Sequence, residues 1–398
     1  MDAKKLKTNN VTAILNNISL ILTDFHSLQA TMRNLFIIIS LAVFSFLSEA
    51  KEFDLSSLNI KEGFQISIFA QDLNSPRQMT EGENGTVFVG ERSGQIVALL
   101  DSDNNGQIDS KRVIADDLKY STGVSIFNGD LYFSEISRIW KIKNIENWLQ
   151  KNSSGFPEKI LVTDDLPDDT WHGWKWLKHN LEGEIYTNVG APCNICLSDN
   201  PQYASIIRLG SDGWEYVAKG VRNSIGFDFH PNTRKLYFTD NGRDWLGDDS
   251  PSCELNRIDQ DGLFYGFPYQ HAMDIKDPEY GDIKSGYDYI NPIFELGAHV
   301  APTGVAFYNQ SQFPAEFKNN LFITLHGSWN RSAKVGYKVL RVILNESGGV
   351  VEVEDFVTGW LREQTIIGRP SAPFVLSDGS LLISDDKANV IYRITHTQ

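Results

Sequence analysis

The segment Asp169-Thr170-Trp171-His172-Gly173-Trp174-Lys175-Trp176-Leu177 sets one imidazole among three indoles, shortly before a Gly-Glu-Ile-Tyr strand signal. Histidine changes charge near neutral pH, so His172 suits a general base at a pocket mouth, with Gly173 leaving room for a ligand. The plainer reading is packing, since histidine is often partly buried and simply hydrogen-bonded. Other polar loops carry Arg222, Arg243, Arg331 and Arg369, together with His299 and His326. A single surface arginine is ordinarily a solvated cation with a packed stem. Four of them in loops that meet would hold a polyanion, because the guanidinium fork pairs with carboxylates. The Gly242-Arg243 turn offers backbone carbonyls, which suit a hard cation. A base, an arginine cluster and oxygen donors together describe a site for an acidic cofactor with a cation.

Something must bring these loops together, and a repeat does so. Six segments share a turn, an alternating apolar run and a polar end: "NGTVFVGE" from Asn84, "NGDLYFSE" from Asn128, "EGEIYTNVG" from Glu182, "RKLYFTDNG" from Arg234, "NNLFITLHG" from Asn319 and "DGSLLISDD" from Asp378. Each precedes a second apolar strand, such as "QIVALL" or "VIYRI". Period-two alternation between turn residues predicts antiparallel β-structure. Helical periodicity is confined to "NIENWLQK" near Glu146. Six irregular repeats fit an all-β, six-bladed β-propeller better than a sandwich or a solenoid. The strand Phe64 to Ala70 would complete the last blade and close the ring. Loops starting near Glu91, Glu135, Gly190, Asp240, His326 and Asp385 would then converge on the central channel.

The ordered motifs "HGWKWL", "GAPCNIC", "RNSIGFDFHP", "TDNGRDWLGDD", "ELNRI", "GFPY", "GAHVAPTG" and "HGSWNR" resemble the pyrroloquinoline-quinone (PQQ)-dependent sugar dehydrogenases, in the glucose/sorbosone dehydrogenase-like branch. The resemblance runs from about Gly63 to Ile394. It implies a six-bladed propeller with quinone and Ca²⁺ at the channel mouth, a sugar substrate and an external electron acceptor. His172 matches the family's catalytic base. Arg222, Asn223 and Arg369 match cofactor-binding positions, and Gly242 and Arg243 sit where backbone carbonyls hold the cofactor's Ca²⁺. The family's cofactor lysine falls opposite "HGSWNR", where His326 or Arg331 would substitute, and Thr122 stands where the family has a glutamine. Asp248, Asp249 and Glu254 are candidates for a structural Ca²⁺, although acidic loops are usually just solvated. "DSDNNGQID" from Asp101 resembles the start of an EF-hand loop, but Arg112 replaces its bidentate glutamate, so a turn is the better reading.

The bulk properties limit the alternatives. The 398 residues carry a net charge of −15, which argues against nucleic acid and anionic membrane surfaces. Met32-Arg33-Asn34, an apolar run from Leu35 to Leu47 and Ser48-Glu49-Ala50 read as a secretory signal over 32–50, too short for a comfortable membrane span. Residues 1–31 then read as a mis-called extension, and 51–398 as one exported domain, periplasmic or secreted, with no stable membrane insertion. In that setting Cys193 and Cys196 would pair, leaving Cys253 as the one free thiol. The competing functions are a Ca²⁺-dependent lactonase on a similar propeller and a non-catalytic binding propeller.

Overall fold

The computed structural model describes residues 53–397 except 152 and 153, so the segments read as an extension and a secretory signal lie outside the described residues. Six sheets form, each built on four antiparallel strands in up-and-down order, and two of them gain a short fifth strand at the outer edge: Asn59–Ile60 on one and, in parallel pairing, Leu263–Phe264 on another. This is the six-bladed propeller that the repeats imply. The recognised hairpins are the second and third strands of the blades, for example Val87–Glu91 with Gln95–Leu100 and Leu381–Asp385 with Val390–His396. Phe64–Ala70 pairs with Val390–His396, Phe64 opposite His396, so the start of the domain completes its last blade and closes the ring. Radial repetition of the blades leaves only short, protected sheet edges. The longest α-helix described is the single turn and a half at Ile145–Gln150, and no described helix is long and apolar enough to cross a membrane.

The innermost strands are Pro76–Glu81, Val124–Phe127, Leu177–His179, Phe227–Phe229, Pro302–Phe307 and Pro370–Val375, and neighbouring ones pack against each other around the axis. Crowding there selects glycine. A Cβ on Gly304 would lie 2.5 Å from Pro373 and 2.6 Å from the Ala372 backbone. Six buried apolar clusters fill the six junctions between blades, such as Phe88 with Leu131 and Phe133 between the first two. Each large side chain so buried contributes roughly 1.5–3 kcal/mol by removal from water. The strands are therefore a stiff frame. What varies is the set of loops at each end of the channel.

Candidate active site

At one end, the connections leaving the second strands and entering the innermost strands surround a cavity of about 320 Å³. Its wall includes Arg77, Arg92, His172, Arg222, Asn223, Asn241, Gly242, Asp244, His299, His326 and Arg369. Half of the chemistry thus comes from segments leading into innermost strands, including His172, Arg222, His299 and Arg369. A larger depression of about 970 Å³ opens at the other end, near His179 and Asp228. There Asp228 pairs with Lys178, and among the described residues no cluster of arginines lines it. Four arginines face the smaller cavity against one lining carboxylate, Asp244, in a chain of net charge −15. That contrast makes the smaller cavity the candidate site for an anionic ligand.

His172 sits in the left-handed region, φ 53°, before the innermost strand Leu177–His179. Its Nδ1 lies 2.8 Å from the Ala191 carbonyl, which can only accept, so Nδ1 carries the proton and Nε2 is left with its lone pair. A Cβ on Gly190 would stand 2.6 Å from the His172 Cβ, so glycine there allows the imidazole its place. Gly173 serves differently from the expectation. A Cβ there would strike the Asp169 carbonyl and the Ile136 side chain, so this glycine makes the turn and does not open space for a ligand. Burial, and then the nearby Arg222 charge, push the His172 pKa down to about 3. The ring is neutral at pH 7. Of the flanking indoles, Trp176 is buried and donates from Nε1 to Phe227 O at 2.9 Å, while Trp174 lies beneath the Arg77 and Arg92 guanidiniums at 4.9 and 4.3 Å.

Arg222 is clamped. Its Nε donates to Asn194 O at 2.9 Å, its Nη2 to Asn194 Oδ1 at 2.8 Å, and its Nη1 to Asn241 O at 3.1 Å. Asn194 belongs to the loop in which Cys193 and Cys196 are disulfide-linked, and it also fixes Asp244 through that residue's backbone N–H. The small covalent ring thus bears on the site through Asn194, a residue that carries no motif of its own. Cys253 is a buried free thiol in the cavity wall.

Across the cavity, Asp386 gathers two cations and an imidazole. Arg77 Nη2 lies 2.5 Å and Arg92 Nη1 3.3 Å from Oδ2, and His326 Nε2 donates to Oδ1 at 2.8 Å. Burial works to raise the Asp386 pKa, but Arg77, His326 and Arg92 outweigh it and hold the carboxyl well below the usual range. Burial lowers His326 to about 4, so it is a neutral donor to a carboxylate. Arg369 donates to the carbonyls of His326 and Gly327 at 3.1 and 2.8 Å. Arg77, Arg92, Asn194 and Asp386 are the residues sequence reasoning missed. Arg77 and Asp386 stand 309 positions apart, and neither carries a local pattern.

Several expected residues go elsewhere. Arg331 lies outside the cavity wall, its guanidinium taken up by the Asp248 carbonyl and by Asp249 Oδ1 at 2.7 Å. Asp248 and Asp249 are therefore partners of a neighbouring loop and do not converge with Glu254 on a cation. Glu254 is buried, accepts from the Ala272 N–H and from Asn256, and burial followed by the neighbouring Asp240 raises its pKa. The Arg243 side chain turns to Asp277 and Glu279, away from the lining, while its neighbour Gly242 faces the cavity. Among the described residues, the grouping with metal-ligand spacing is Asp101, Asp103 and Asp109, in a turn at the other end of the first blade.

Three orphaned polar atoms show what the cavity lacks. Arg77 Nε, Arg92 Nε and Asn223 Oδ1 are buried without a hydrogen-bond partner. Buried polar atoms are rarely left so, and each has a cost when unpaired. Two donors beside arginine charge ask for an anion, and the amide oxygen asks for a donor or a cation.

Comparison with known proteins agrees with the architecture. A family model described as TrAA12-like matches residues 269–359. A protein of Borreliella burgdorferi, itself uncharacterised, is 32% identical over 369 residues, covering 90% of this chain and 96% of its own length. Among solved structures, the holo PQQ domain of a pyranose dehydrogenase from Coprinopsis cinerea superimposes with a TM-score of 0.71 at 18% identity, over 85% of this chain and 97% of that one. A calcium structure of a family AA12 carbohydrate-active enzyme from Trichoderma reesei gives 0.70 at 17% over 85% and 97%. The apo soluble aldose sugar dehydrogenase of Escherichia coli gives 0.62 at 16% over 84% and 99%.

Proposed function

This chain belongs to the same family as the Borreliella burgdorferi protein, and from that premise and its arginine-walled cavity we propose that it is a PQQ-dependent sugar dehydrogenase. It has the fold of the PQQ-dependent sugar dehydrogenases. The observation that carries the reading is the convergence of a neutral imidazole with a free Nε2, four arginines and the orphaned donors Arg77 Nε and Arg92 Nε. A planar tricarboxylate would meet those cations, and a Ca²⁺ ion with it would draw on backbone carbonyls at Gly242 and Arg243 and on the orphaned Asn223 Oδ1. His326 would contribute through its ring and Arg369 through its guanidinium. When bound, the quinone accepts hydride from the sugar and Ca²⁺ polarises its carbonyl.

His172 does the proton chemistry. Its Nε2 takes the proton of the sugar hydroxyl as the C–H electrons leave, and the Ala191 carbonyl holds the ring in the tautomer that can do so. A carboxylate seated by Arg222 would offset that residue's depression of the imidazole, so the base strengthens when the site is filled. The substrate is an aldose or aldehyde sugar, with an external acceptor taking up the electrons, in an exported protein. A lactonase would need carboxylates around a metal, and Asp244 is the one carboxylate on the described wall.

Arg222 and Arg369 test the reading. Arg369→Ala should weaken quinone binding by roughly 1.5–3 kcal/mol, the range for a charge-assisted contact. Arg222→Lys keeps the charge but loses the fork and should also weaken binding, whereas Arg222→Ala would cost stability as well, because it removes a buried guanidinium from Asn194, Asn241 and half-buried Asp244. Calorimetric titration with PQQ and Ca²⁺ measures this. Unchanged affinity in both Arg369→Ala and Arg222→Lys would contradict the assignment.

A further inference from the structure

Of the tryptophans in the described residues, three are exposed: Trp171, Trp245 and Trp329. All three stand at the mouth of the same cavity. Trp329 forms part of its wall, Trp171 meets the His172 ring edge-on at 5.8 Å, and Trp245 meets Trp329 at 5.6 Å with the rings at 84°. Trp245 and Trp329 are each 66% exposed. Large aromatic surface in water is unfavourable, and where it clusters beside a cleft it marks a binding surface.

The pair is held in place. Arg331 reaches Asp249 at 2.7 Å, the Ser332 N–H donates to Asp248 Oδ1 at 3.0 Å, and Asn330 Nδ2 donates to Asp244 Oδ1 at 3.3 Å. These contacts tie the loop bearing Trp245 to the loop bearing Trp329. Trp245 is also kept at φ 70°, a conformation that a bulky side chain rarely adopts. The result is a rigid corner of two perpendicular indoles, rimmed by carboxylates, amides and a guanidinium. A sugar ring matches that corner: its C–H faces pack on indole, and its hydroxyls need polar groups at the ring edge. A protein partner would call for a broader apolar core. The cavity itself, about 320 Å³, is at the small end of ligand pockets, roughly 300–1,000 Å³. With a cofactor in place, a second or third sugar unit would lie outside it, on the corner.

We propose that Trp245 and Trp329 form an outer subsite for the later units of an oligosaccharide whose terminal sugar enters the cavity. This rests on the functional reading above, yet it can fail separately. The test is binding without turnover: tryptophan fluorescence and calorimetry with malto-, cello- and xylo-oligosaccharides of one to four units, on the wild type, Trp245→Ala and Trp245→Ala/Trp329→Ala. In at least one series the wild type should bind the trisaccharide about tenfold more tightly than the monosaccharide, about the gain of one good aromatic contact. In Trp245→Ala that ratio should fall toward one, and Trp245→Phe should recover part of it. A wild-type affinity independent of length in every series, or a ratio that survives the double substitution, overturns the proposal. So does a double variant that binds oligosaccharide normally but passes electrons poorly to a haem-protein acceptor, which would make the corner an acceptor dock. A protein that shows the tryptophan-dependent gain but takes up no quinone keeps the subsite and loses the dehydrogenase reading. One that oxidises monosaccharides with PQQ but shows no gain does the reverse.

Discussion

His172→Asn should bind quinone and Ca²⁺ much as the wild type does, and reduce the quinone about 10²- to 10⁴-fold more slowly when a sugar is added. Asparagine keeps a polar group near the Ala191 carbonyl but has no basic nitrogen to accept the hydroxyl proton. The pH dependence is a separate signature. Burial and Arg222 place the imidazole pKa at about 3, below the ordinary value of 6.5. A group depressed in this way stays in its base form as pH falls through 6.5, so the wild-type acid limb should lie well below that pH and be absent from the residual rate of His172→Asn. The same depression bears on stability: between about pH 6.5 and 3 the unfolded chain binds the proton that the folded chain refuses, so His172 favours unfolding as pH drops through that window. An asparagine variant reacting at the wild-type rate would return this residue to a packing role.

Asp386→Ala should cost about 3–5 kcal/mol of folding stability, the range for removing one partner of a buried ion pair. Asp386 and Arg77 are both almost fully buried, and the carboxylate answers Arg77, His326 and Arg92 at once. Without it, Arg77 keeps its charge in a poorly solvated wall with Nε already orphaned. Chemical denaturation at pH 7 measures the loss. Because the folded carboxyl is held well below its unfolded pKa of about 3.9, its contribution is fully present at pH 7 and fades only as pH falls below that value. The wild-type and Asp386→Ala stabilities should therefore converge in strong acid. Added quinone should restore part of the lost stability, since its carboxylates would answer the same arginines. A variant as stable as the wild type would show that Asp386 is not the counter-charge of this wall.

The blades were legible because their middle strands repeat a pattern strong enough to count. Val87–Glu91 and Leu381–Asp385 alternate between turns of glycine and polar residues. The innermost strands were not legible: Leu177–His179 and Phe227–Phe229 have three residues each, too short for any period to register. The loops rich in histidine and arginine pointed to the end of the channel where the arginine-walled cavity lies. Their side-chain directions could not be read, because they depend on partners far along the chain. Arg331 meets Asp248 and Asp249 across 83 and 82 positions and so becomes a strut between loops. Asp386 and Arg77 meet only because the ring closes, and Asn194 meets Arg222 across 28 positions with no local pattern of its own.

The most direct test of the central claim is a single-turnover experiment on the purified protein loaded with PQQ and Ca²⁺. On rapid mixing with an aldose, the absorbance of the bound quinone should change to that of its reduced form in one phase, and an artificial dye acceptor should then be reduced only in samples containing sugar, quinone and Ca²⁺ together. A protein that takes up no quinone at micromolar concentration, or that holds quinone whose spectrum no aldose or aldehyde sugar alters, would contradict the account.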